Sequence, residues 1–281
     1  MFQNGVTAFS CSNIDSPKKQ LLHFLCSLIL IFFLFLNLSY AFQGFQTPVA
    51  SVLPHGRILC GVEGGYYESK NLFDISLDGD LIVGPVIFLK GGFGNRLDAE
   101  ITWDVYRYVM DDSQFGSTGD FSDPSFFVKL NLLHETYWPQ LSVQLGAKEP
   151  MASDSTHVGT DEADIFGSLL VGKTVARTNI DVRMGIGIYG DRNMLSAQQD
   201  AFLYGLLISK KIGNRLNLGL EYAGRFRKYG SQLNQMGIQG GFEWLFMKSW
   251  YLHGIASAGL VNQSESWGVK MGFSFQDKVF E

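Results

Sequence analysis

Apolar and polar residues alternate repeatedly along the chain beyond Ala41. The clearest run starts at Leu97. Leu97, Ala99, Ile101, Trp103 and Val105 fall on one side, and Asp98, Glu100, Thr102 and Asp104 on the other. A strand sorts side chains onto two faces with a period of two, whereas a helix would scatter these carboxylates around its surface. The same alternation marks Leu141–Lys148, Ile180–Ile188, Leu216–Tyr222, Gln235–Trp244 and Trp267–Phe275. It is weaker but present at Arg57–Tyr67, Asp80–Lys90, Ser125–Leu133, Asp164–Lys173, Ala201–Lys210 and Ser249–Leu260. Together these segments predict about twelve strands, an even number, of the length that crosses a bilayer when tilted.

The connections between them differ in length. Gly91–Arg96, His134–Gln140, Val175–Thr178, Lys211–Asn214 and Leu245–Lys248 are short. Met110–Pro124, Glu149–Glu162, Gly190–Asp200, Gly224–Gln232 and Val261–Glu265 are longer and polar. Tight turns on one side and longer loops on the other are the asymmetry of an outer-membrane barrel. Aromatic residues gather near the expected strand ends, among them Trp103, Tyr106, Tyr108, Trp138, Tyr222, Trp244, Trp250, Tyr251 and Trp267. Such girdles suit a membrane interface. A soluble sandwich with aromatics filling its core remains an alternative at this point.

The expected fold is therefore all-β: a single antiparallel transmembrane β-barrel of about twelve strands over residues 57–275, in the bacterial outer membrane. Ahead of it, Lys18 and Lys19 precede the apolar run Leu21–Leu36, and Ser39 and Ala41 supply a small-x-small end. This pattern predicts a signal peptide over 1–41, cleaved after Ala41, although an uncleaved single-span anchor stays open because the apolar run nearly reaches spanning length. Residues 42–56 are expected as a short N-terminal periplasmic segment and 276–281 as a C-terminal tail. The last strand, Val269, Met271, Phe273 and Phe275, is similar to the C-terminal targeting signature of outer-membrane proteins. That similarity implies the barrel-assembly machinery as a partner, beside outer-membrane lipid and lipopolysaccharide.

Composition changes this picture little. Aromatics make up 14% of the chain, with 32 Gly against 7 Pro, which favours strands and tight turns. A net charge of −5 offers no electrostatic case for nucleic acid. Of the three cysteines only Cys60 lies beyond the leader, so no intramolecular disulfide is expected.

The chemistry expected of the inner face is that of a polar lumen. The lumen-facing candidates are Asp98, Glu100, Asp104, Lys129, Lys148, Arg183, Glu221, Glu243, His253 and Lys270. The row Asp98, Glu100 and Asp104 reads either as a cation-preferring surface or as one side of an ion-pair network with inward cations on other strands. No catalytic residue is assigned. His253 and Ser257 share a strand face but sit four residues, roughly 13 Å, apart, too far for a nucleophile and its base. The loop Asp111–Asp120 is only faintly like a calcium loop and lacks its twelfth-position Glu. No cofactor or metal is expected, and no enzyme activity.

One stretch carries a family resemblance. Ser125–Asp191 contains Lys148-Glu149-Pro150, then Gly159-Thr160 with Asp164, and ends in Gly187–Asp191. It resembles the outer-membrane barrels of the MetA-pathway of phenol degradation family. The resemblance implies a barrel of twelve strands or so that moves small solutes, aromatic or hydrophobic ones among them. The alternative is a non-conducting structural or surface-interaction barrel.

Overall fold

The computed structural model describes residues 44–72, 77–112, 116–152, 158, 162–190, 199–227, 234–262 and 264–280. The stretch read as a signal peptide lies outside them. The first strands are β1 (Arg57–Leu72), β2 (Leu77–Phe93), β3 (Leu97–Asp104), β4 (Tyr106–Asp112), β5 (Gly116–Phe121), β6 (Pro124–Leu133) and β7 (Gln140–Lys148). They continue with β8 (Asp164–Val175), β9 (Thr178–Tyr189), β10 (Gln199–Ile212), β11 (Leu216–Arg227), β12 (Gln235–Met247), β13 (Trp250–Gly259) and β14 (Trp267–Lys278). All pairings are antiparallel. The sheet closes on itself because β1 pairs with β14, from Arg57 opposite Lys278 to Glu68 opposite Trp267, and also with β2.

Fourteen segments make twelve staves. β3 and β4 are consecutive halves of one stave, both paired with β2, and β5 and β6 are halves of the next. The break has a local cause. Val105, between β3 and β4, donates its N–H to Pro85 O at 2.9 Å, but Pro85 has no N–H to return. Pro85 also sits where the β1–β2 register shifts between Glu63 and Gly65. That bulge resets the phase, so Leu81 and Val83 before it and Val86, Phe88 and Lys90 after it are all buried.

The strand positions follow the alternation closely, and three expectations change. Met110–Pro124, expected as a polar loop, is largely the β4–β5 hairpin continuing the staves. β14 runs on to Lys278, so Gln276, Asp277 and Lys278, expected in a tail, pair with Leu59, Ile58 and Arg57. The register supplied by β1 extends the ladder past the final Phe. Residues 44–53, expected outside the barrel, lie within it, as described below.

Outside, Ile87, Leu89, Phe126, Val128, Leu145, Ile186, Met271 and Phe273 are exposed. Closure through β1 and β14 pairs the staves around the ring, with only the short β5 paired on one side among the described residues, so such a surface suits hydrocarbon. Aromatics mark both rims. Tyr137 and Trp138 are 88% and 70% exposed in the turn between β6 and β7, with Trp244 and Trp250 on the same rim. Tyr106, Phe121, Tyr222 and Trp267 lie towards the long-loop rim. Tyr251 departs from this girdle: it shares the inner face of β13 with buried His253, opposite Ser274.

Candidate functional site

The inner wall carries the polar half of the alternation. Asp98, Lys129, Asn131, Ser142, Gln144, Asp164, Ser168, Asp181, Glu221, Gln239, Glu243 and His253 are all buried there. Ions removed from water this far need partners, and the barrel supplies most of them across staves. Lys90 reaches Glu100 at 3.1 Å and Asp98 at 3.7 Å, and Lys129 reaches Asp98 at 3.3 Å. Asp104 pairs with Arg107 at 2.5 Å. Lys148 sits between Asp164 at 2.7 Å and Asp123 at 3.5 Å. Glu63 receives Lys270 at 3.0 Å and the His253 ring at 3.1 Å.

The acidic row on β3 is thus neutralised in part, by Lys129 as its spacing allowed and by Lys90 and Arg107. Lys148 and Lys270 pair elsewhere. Glu243 lies in register between Asn217 on β11 and His253 on β13. The His253 ring contacts Glu63 rather than Ser257. The hairpin that replaces the calcium-like loop has residues 113–115 outside the described residues.

The feature that sequence reasoning missed is the segment Gly44–Pro54, which runs along the inside of the wall as a strap. Its backbone is held by inward side chains from many staves. Lys270 Nζ donates to Gly44 O at 2.6 Å, and Arg183 Nη1 donates to Gln46 O at 3.0 Å. Glu221 accepts from Gln46 N at 3.0 Å and from Thr47 N. Lys129 Nζ donates to Val49 O at 3.0 Å, and Ser142 Oγ donates to Ala50 O at 2.6 Å. Asp181 accepts from Ala50 N at 2.8 Å, and Asp98 accepts from Leu53 N at 2.9 Å. Carboxylates meet N–H groups, and lysine, arginine and serine meet carbonyls.

Wall glycines let the strap approach. A Cβ on Gly172 would lie 2.8 Å from the Ala50 Cβ, and one on Gly205 would collide with the Thr47 hydroxyl. The wall is bare where these strap side chains touch it, and bare again at Gly92, where a Cβ would meet the Leu53 and Pro54 carbonyls. Glu63, Lys90 and Asp181, also missed, sit on alternating inner positions and were open to the same reasoning. The strap has no period, and its partners lie as far as 226 residues away.

The strap divides the remaining space. A cavity of about 520 Å³ occupies the long-loop half, with Tyr189, Arg225 and Glu265 in its lining. A second, of about 210 Å³, flanks the strap between Gly44 and Val49. A third, of about 60 Å³, lies at the short-turn end beside Val49 and Ser51. The first two share Gln46, Phe127 and Arg183, and the last two share Val49.

No protein-family model matches the sequence, and no curated protein matches it. Among solved structures it is similar to the COG4313 outer membrane channel from Pseudomonas putida F1, with a TM-score of 0.61 at 12% identity over 81% of this chain and 98% of that one. It is also similar to the NanC porin, with a TM-score of 0.52 at 9% identity over 77% of this chain and 98% of that one. The aligned barrels, the apolar exterior and the rims of aromatics give one conclusion: the chain is a closed twelve-strand β-barrel of the bacterial outer membrane.

Proposed function

We propose that this barrel is a channel for small solutes whose path is narrowed by its own N-terminal strap. The observation that carries the reading is the series of cavities of about 520, 210 and 60 Å³ along the lumen, with neighbouring cavities sharing lining residues. A water molecule takes about 30 Å³ of liquid volume. The short-turn end therefore has space for water or a small ion, and a larger solute needs the strap to shift.

The likeness to a channel and a porin supports the reading at the level of fold. The resemblance to the phenol-degradation barrels adds a solute class, small aromatic or hydrophobic compounds. Two of its motif residues, Lys148 and Asp164, meet at 2.7 Å, while Gly159, Thr160 and Asp191 lie outside the described residues. We further propose export by a leader ending at Ala41, insertion by the barrel-assembly machinery, and an orientation with the short turns in the periplasm. Lipopolysaccharide then surrounds the long-loop half.

The test is conductance of purified protein in planar lipid bilayers, with folding verified by the shift in gel mobility on boiling. Discrete conductance is expected. Silence from demonstrably folded protein would overturn the channel reading in favour of a sealed barrel with a structural or surface role, the reading to which the 60 Å³ constriction lends weight.

A further inference from the structure

The junction between the two larger cavities is formed by Gln46 on the strap, Phe127 on β6 and Arg183 on β9. Arg183 differs there from the lumen cations that carry carboxylate partners. Lys90, Lys129, Lys148, Lys270 and Arg107 each pair with at least one carboxylate within 4 Å. Arg183 has only neutral partners among the described residues: its Nε donates to Ser168 Oγ at 3.0 Å and its Nη1 to the Gln46 carbonyl at 3.0 Å. Its Nη2 has no partner among them.

The carboxylate that holds the N–H of the same Gln46 is already engaged. Glu221 is fully buried, both of its oxygens accept strap N–H groups, and it lines neither cavity. At the junction a solute therefore meets the guanidinium and not Glu221, while the cavity-lining Glu100, Asp104 and Asp164 on either side carry Lys90, Arg107 and Lys148 as partners. Two bonds to the wall and the strap hold the guanidinium plane and leave Nη2 as a charged donor for a solute oxygen, and a carboxylate oxygen accepts such a bond more strongly than a neutral one. The apolar Phe127 ring lines the same junction.

We propose that Arg183 is the selectivity-determining residue of the lumen and that the barrel favours small organic anions, carboxylates in particular. This rests on the channel reading and sets aside the cation-preferring one of the two readings that the acidic row on β3 left open from sequence. Those acids are bound to Lys90, Lys129 and Arg107, so they present little net charge to a solute.

The experiment is the reversal potential in planar bilayers under a potassium chloride gradient, and then with potassium acetate or potassium benzoate on one side. Wild-type protein is expected to pass chloride and both carboxylates in preference to potassium. Arg183→Lys should keep the sign, Arg183→Gln should bring the reversal potential towards zero, and Arg183→Glu should invert it. A residue that only tethered the strap would alter the size of the conductance in these variants and leave the sign alone. Conductance without anion preference in wild type, or with a sign indifferent to Arg183→Glu, overturns the assignment while leaving the channel standing. Absence of any conductance from folded protein overturns both.

Discussion

The side chain of Glu221 on β11 binds the backbone N–H groups of Gln46 and Thr47, across 175 and 174 positions of sequence. One carboxylate thereby fixes the middle of the strap against a wall formed almost at the other end of the chain. Charge-assisted bonds of this kind contribute about 1.5–3 kcal/mol each. Glu221→Ala removes both acceptors and leaves two enclosed N–H groups, while the β11 ladder keeps its backbone bonds. More frequent or larger openings than wild type are expected in single-channel recordings. Unchanged conductance would mean that the strap does not limit the path.

A second route to the same end leaves charge untouched. Gly205→Leu places a side chain where the Thr47 hydroxyl lies, and Gly172→Val does the same against Ala50. Both variants should keep the boil-dependent mobility of a closed barrel. Limited proteolysis with mass spectrometry should find new cleavage between Gly44 and Leu53. Full protection in both variants would count against displacement of the strap.

Lys148 joins three staves by pairing with Asp123 and Asp164. Removing one member of a buried cluster while its partners stay charged costs about 3–5 kcal/mol. Lys148→Met should therefore lower the urea midpoint of barrel unfolding markedly. The double variant Lys148→Met/Asp164→Asn should recover part of the loss, because one stranded carboxylate is gone. Equal effects from the single and double variants would show that the pair is not coupled.

Cys60 follows buried Leu59 and precedes exposed Val62 by two positions, which puts its thiol on the outer face of β1. A nitroxide attached there should relax strongly with dissolved oxygen and weakly with a water-soluble nickel chelate. The opposite pattern would place this part of β1 outside the bilayer.

Most of the barrel is legible in sequence because a strand reports its environment locally. Leu97 to Asp104 show their two faces in eight residues, and the inward position of Asp98 and Glu100 follows from the period alone. The double break at Val105 and Ser122 is harder to read. It depends on Pro85 lying opposite Val105, a matter of register between staves. The strap is not legible at all. Its sequence has neither strand nor helix period, and nothing local tells Gln46 that Glu221 waits for it. The partners of the inner charges were half legible for the same reason. Alternation says that Lys148 faces inward, but only the stave order says that Asp123 and Asp164 are beside it.

The strap gives the lumen an occupant of its own. Aspartate, glutamate, lysine and serine side chains that line the wall recognise an extended piece of backbone, and that piece is covalently joined to β1 at Arg57. Any solute that needs the same groups competes with a tethered rival, whose effective concentration on a short linker is of order millimolar. Under the proposed channel function, passage is then an exchange reaction. Weakly interacting solutes leave the strap seated, and a compound displaces it only where its concentration relative to its own dissociation constant exceeds the same ratio for the tethered strap.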